Sequence, residues 1–134
     1  MHLNGFKDLE NLEELNLYGN NLSKIESNSF HYLNKLKKLD LKFNKISKID
    51  SHSFRGLDNL EELDLSFNKL IRIGSEIFQH LNKLKRLNIG ENEIEEIEFN
   101  GFKGLDNLED LFFEKNQLKE IESSLIQHMK KLET

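Results

Sequence analysis

One leucine-based frame of 24 residues is repeated along this chain, and no other feature restricts its fold so severely. Leu12, Leu36, Leu60, Leu84, Leu108 and Leu132 recur at that spacing, and each of the first five opens the pattern LxxLxLxxNx(L/I)xx(I)xxxx(F)xxLxx without insertion. Full units occupy residues 12–35, 36–59, 60–83, 84–107 and 108–131. Residues 1–11, with Phe6 and Leu9, match the tail of a preceding unit, and residues 132–134 match the head of a following one. Self-similarity at such a period marks a chain whose units each bury an apolar face only against their neighbours. The 134 residues therefore read as one continuous array.

Within a unit the pattern is that of a short strand followed by a turn. In "LEELDLS" Leu63 and Leu65 alternate with polar residues, the period of a strand with one buried face. "HYLNKLKKLD" alone would pass for an amphipathic helix, but Leu-x-Leu followed three residues later by asparagine fits no helical period. A coiled coil is thereby excluded. Asn20, Asn44, Asn68, Asn92 and Asn116 stand where the chain must leave the sheet, and a buried amide there can satisfy backbone groups of its own turn and the adjacent one. They are expected to stack as an asparagine ladder. Phe6, Phe30, Phe54, Phe78 and Phe102, with Ile126 closing the series, are expected to form a second apolar column on the opposite side.

This frame resembles the leucine-rich repeat family, and its length and phenylalanine column resemble the typical 24-residue subclass found in Toll-like receptors, Slit-like guidance proteins and small proteoglycans. The resemblance implies an α/β repeat fold: a right-handed solenoid with a concave parallel β-sheet and an irregular or short-helical convex side. It also implies non-enzymatic protein recognition through the concave face, as part of an extracellular or cell-surface receptor or adhesion protein in innate immunity or adhesion. A cytosolic or bacterial interaction protein of the same repeat type, and a purely structural or engineered array without a ligand, remain the alternatives. The chain departs from the subclass in two respects. Glu26, Asp50, Gly74, Glu98 and Glu122 stand where proline is common, and the cysteine-rich caps of many secreted members are absent.

Adjacent units hold the same leucines but opposite charges, as in "LNKLKKL" against "LDNLEEL". In parallel stacked strands, residues one repeat apart lie side by side at about 4.8 Å. One column then reads Glu13, Lys37, Glu61, Lys85, Glu109 and the next Glu14, Lys38, Glu62, Arg86, Asp110, so all eight steps juxtapose opposite signs. Duplication of a double unit would leave this pattern, and its consequence is the removal of like-charge contacts costing about 1 kcal/mol each in water.

The columns that do not alternate supply the candidate partner-binding residues of the concave face: Tyr18, Asp40, Lys42, Phe43, Asp64, Phe67, Asn88, Phe112 and Glu114. They follow no evident structural rule. Alternation in "LFF" points Phe113 inward and leaves Phe112 exposed, either as a recognition anchor or as cover for a sheet edge; Phe43 and Phe67, adjacent in one column, could simply stack on each other. Lysines crowd the second unit and glutamates the fourth, which would steer a charged partner or be solvated and paired, Lys69 with Glu93 and Arg72 with Glu96.

Composition narrows the classes further. A net charge of -5 and a pI near 5.6 argue against a nucleic-acid partner, and no apolar run approaches the roughly 20 residues of a membrane span, so no membrane contact by this segment is expected. Without cysteine there is neither a disulfide nor a thiolate metal site. His2, His31, His52, His80 and His128 fall in loops, with His80 and His128 two repeats apart in one column, so no catalytic residue, cofactor or metal is expected. Asn21-Leu22-Ser23 is a glycosylation sequon should the protein be secreted. An array cut within a repeat leaves apolar cross-sections open, from which end-to-end self-association is expected.

Overall fold

The computed structural model describes residues 5–119, 125 and 131–132. Each unit opens with a three-residue strand whose middle leucine points inward: β1 (Glu14–Asn16), β3 (Lys38–Asp40), β5 (Glu62–Asp64), β7 (Arg86–Asn88) and β9 (Asp110–Phe112). These five form one parallel sheet in the order β1-β3-β5-β7-β9. Leu15, Leu39, Leu63, Leu87 and Leu111 lie in register across it, each beside its counterpart one unit away. The chain thus makes one turn of a solenoid per unit.

The opposite side is mostly turns, with short two-residue ladders added to the irregular convex side that the sequence leads one to expect. The isoleucine column pairs as two-residue parallel strands, β2 (Lys24–Ile25) with β4 (Lys48–Ile49) and β6 (Arg72–Ile73) with β8 (Glu96–Ile97), joined to the main sheet by turns. β-branched isoleucine, fully buried at Ile25 and Ile73 and partly buried at Ile49 and Ile97, favours this geometry. Between the layers lies one continuous core of leucine, isoleucine and phenylalanine. Phe6, Phe30, Phe54 and Phe78 stack in sequence with centroids 5.9, 6.3 and 6.0 Å apart, and Phe102 is fully buried. Ile126, Glu122, Glu133, His2 and His128 lie outside the described residues.

The double unit seen in the charges is also a packing unit. The outer turn takes a left-handed residue at Asn28 and Glu76 (φ 61° each) in the first and third units, but at Gly56 and Gly104 (φ 94° and 97°) in the second and fourth. A Cβ on Gly56 would stand 2.8 Å from the His31 backbone, and one on Gly104 2.6 Å from that of Gln79. The second unit therefore closes backbone to backbone on the first, and the fourth on the third. Asn59 Nδ2 and Asn107 Nδ2 donate to the carbonyls of Asn34 and Asn82 across the same two steps, each at 2.6 Å.

Candidate recognition face

Where each strand ends, two side chains take over from the sheet hydrogen bonds. Asn44 Nδ2 donates to the carbonyls of Leu17 and Leu41, both at 3.0 Å, while its Oδ1 accepts from the Leu22 N–H at 3.1 Å. Asn68 repeats this with Leu41, Leu65 and the Ile46 N–H, Asn92 with Leu65, Ile89 and the Leu70 N–H, and Asn116 with Ile89, Phe113 and the Ile94 N–H. The first member, Asn20, is exposed and, among the described residues, bonds within its own turn, to Leu17 and Tyr18.

The amides occupy carbonyls of the neighbouring strand, and a second column meets the N–H groups two residues into each exit. Asn16, Asp40, Asp64 and Asn88 each use Oδ1 to accept the backbone N–H two residues on, at 2.9 to 3.0 Å. This column was expected to follow no structural rule; it follows one, since a short Asx side chain completes a local turn. The signal was in the sequence, where four of five positions are Asn or Asp. Phe112 is the exception and cannot accept.

The outward side chains of all five strands line a groove of about 530 Å³. Glu14, Asp40, Glu62 and Asp64 make it acidic; its two cations are already engaged, Lys38 with Glu14 and Glu62 at 4.0 and 3.8 Å, and Arg86 with Asp110 at 3.3 Å. Phe112 closes one end. It is half-buried rather than exposed, because the Arg86 guanidinium lies 5.7 Å from its ring centre. Phe113, in the inward column, is 38% exposed, with no strand of the described residues beyond β9.

Along the rim, Gly19, Phe43, Phe67, Glu91 and Lys115 all hold left-handed backbone, with φ between 53° and 69°. A non-glycine residue there costs about 1 to 2 kcal/mol. Phe43 and Phe67 nevertheless stack at 4.2 Å, and Tyr18 meets Phe43 edge-on at 5.4 Å. Lys115 pairs with Glu91 at 2.8 Å; that hydrogen bond and the carboxylate charge hold its ammonium above the ordinary lysine value. The benefit is present below the unfolded lysine pKa and is lost as pH rises through the raised one.

The alternating columns form ion pairs at five of eight steps: Glu13–Lys37, Glu14–Lys38, Lys38–Glu62, Glu61–Lys85 and Arg86–Asp110. Lys69 pairs with Glu93 at 3.4 Å and Arg72 with both Glu96 and Glu98. Glu114 and Asn21 are exposed. Among the described histidines, His52 and His80 meet, with ring centres 6.2 Å apart between the second and third units. No group of three or more potential metal ligands occurs among the described residues, and no described helix is long and apolar enough to cross a membrane.

The BspA-type leucine-rich repeat region matches residues 2–133 in six copies. No protein of curated function matches the chain. Among solved structures, a TLR13 complex with ssRNA13 is similar at 28% identity and a TM-score of 0.70, over 95% of this chain and 21% of that one. The Drosophila Toll–Spatzle complex is similar at 23% identity and a TM-score of 0.82, over 90% and 18%. The chain thus spans about a fifth of each, and the second likeness concerns the fold alone.

Proposed function

The chain belongs to the BspA-type leucine-rich repeat family, and from that membership we propose that it is a non-enzymatic protein-recognition module that seats its partner in the groove along the main sheet. The observation that carries this reading is the groove itself: it crosses all five strands and is lined mainly by side chains the core does not need. Its acids favour a partner surface bearing lysine or arginine. Of the two similar structures, Toll is bound to the protein Spatzle and TLR13 to ssRNA, so the fold by itself is compatible with either kind of partner and does not argue against nucleic acid. What argues against it is the net charge of -5 together with the acidic groove. An extracellular or cell-surface setting rests on the likeness to Toll-like repeats, and a cytosolic or bacterial setting is the other reading.

The test is capture of interacting proteins with the native chain, followed by direct titration of each with purified variants. Asp64→Asn, which removes the charge but keeps the Oδ1 acceptor for the Ser66 N–H, and Phe112→Ala are expected to weaken a genuine partner by about tenfold or more, the effect of losing a central anchor, with the melting temperature little changed. Arg55→Glu, on the opposite side, is expected to leave binding intact. Partners that respond to Arg55→Glu and ignore both groove variants would move the site elsewhere. Secretion from a eukaryotic host, with mass analysis at Asn21, reports whether the sequon is used.

A further inference from the structure

We propose that the aromatic rim of the first three units is the anchor point for one kind of partner segment: a peptide with a leucine or aromatic side chain flanked by carboxylates. The inference rests on the recognition reading above and assigns the rim a chemistry distinct from that of the groove. Tyr18, Phe43 and Phe67 are 52%, 43% and 37% exposed, so their contiguous aromatic surface contributes little to the core. It is also rigid. Phe43 N–H and Phe67 N–H donate to the carbonyls of Ser66 and Gly90, each at 3.2 Å, and each phenylalanine is followed directly by a buried ladder asparagine. Two bulky rings are thereby fixed in a backbone conformation that suits glycine, as Gly19 shows one unit earlier. Rigid exposed aromatics bind with little loss of side-chain freedom.

Charge specifies the flanks. Lys42 holds its ammonium 5.6 and 5.3 Å from the centres of the Phe43 and Phe67 rings, and Lys45 follows two residues after Phe43. Among the described residues neither lysine has an ion-pair partner, whereas in the column of Phe43 and Phe67 Lys115 is paired with Glu91 and in the Lys45 column Lys69 is paired with Glu93. The platform therefore offers an apolar seat beside two cations that have no carboxylate partner among the described residues. Asp40 and Asp64 border it on the sheet side, each with Oδ1 already accepting a backbone N–H. They confine an anionic segment to the loop side and disfavour a polyphosphate chain more than a single carboxylate.

A random dodecapeptide library displayed on phage and selected on the immobilised chain tests this. Peptides combining Trp, Phe or Leu with adjacent Asp or Glu should be enriched. An enriched peptide should lose about tenfold or more in affinity to the double variant Phe43→Gly, Phe67→Gly, and should weaken with Lys42→Glu in a salt-dependent way. The glycine variant is expected to keep its melting temperature, because glycine relieves the left-handed backbone. Phe112→Ala, at the far end of the groove, should leave this peptide's affinity unreduced, which separates failure of the rim from failure of the groove. Absence of enrichment, enrichment of basic peptides, affinity unchanged in the glycine variant, or rim-dependent binding of single-stranded oligouridine in place of peptide would each overturn the proposal.

Discussion

Gly19 and Gly56 both hold left-handed backbone, but nothing lies within 4 Å of a Cβ on Gly19, while one on Gly56 would press on the His31 backbone at 2.8 Å. Gly19→Ala should therefore cost only the conformational penalty, about 1 kcal/mol. Gly56→Ala should cost that plus the displacement of an adjacent turn, about 2 to 4 kcal/mol in all. Urea denaturation midpoints of the two variants decide it, and equal losses would mean that the close approach of these units adds nothing to stability. At this scale the sequence discloses which residue type recurs but not always what it does. The Asn and Asp of the strand-exit column look like variable surface until their Oδ1 atoms are placed on the backbone N–H two residues on.

Among the strands, register is what turns a periodic sequence into a set of contacts. Glu14, Lys38 and Glu62 are directly paired positions on β1, β3 and β5, and the Lys38 ammonium lies within 4.0 Å of both carboxylates. The side chains are about half exposed, so each ion pair alone contributes about 0 to 1 kcal/mol. The larger effect is the like-charge repulsion that alternation avoids. Lys38→Glu is expected to lower stability by about 1 to 3 kcal/mol at low ionic strength, and by less in molar salt, where the screening length falls to about 3 Å. A loss of the same size at both salts would argue for packing rather than charge. Strand existence and register were legible from the Leu-x-Leu spacing alone. The extra β2–β4 and β6–β8 ladders were not, because a strand of two residues is too short to show a period.

Across the whole molecule the order of the units carries information beyond the frame they share. Exchanging residues 36–59 with 60–83 preserves length, composition and every leucine. It would nonetheless place Glu14 beside Glu62 and Lys38 beside Arg86, with the same clash in the adjoining column, and would set His80 where Gly56 now closes against the first unit. Four attractive steps become repulsive ones, and with about 1 kcal/mol at stake in each the exchanged chain should be less stable by about 3 to 6 kcal/mol. Calorimetry of the two chains at equal salt measures the difference. Equal stability would show that the units stack interchangeably.

The repeat length, the parallel sheet, the buried columns and the alternation of charge were fixed by sequence, because each depends only on which residues recur at a constant spacing and on the short distance between stacked strands. Tertiary structure decided what spacing cannot express. Phe112 is drawn under Arg86 instead of standing free, Phe43 and Phe67 are held out on left-handed backbone, and Lys42 and Lys45 have no carboxylate partner among the described residues. These outcomes depend on the direction each side chain takes from its own backbone, and on which neighbour reaches it first. A one-dimensional pattern encodes the columns but not the angles between them.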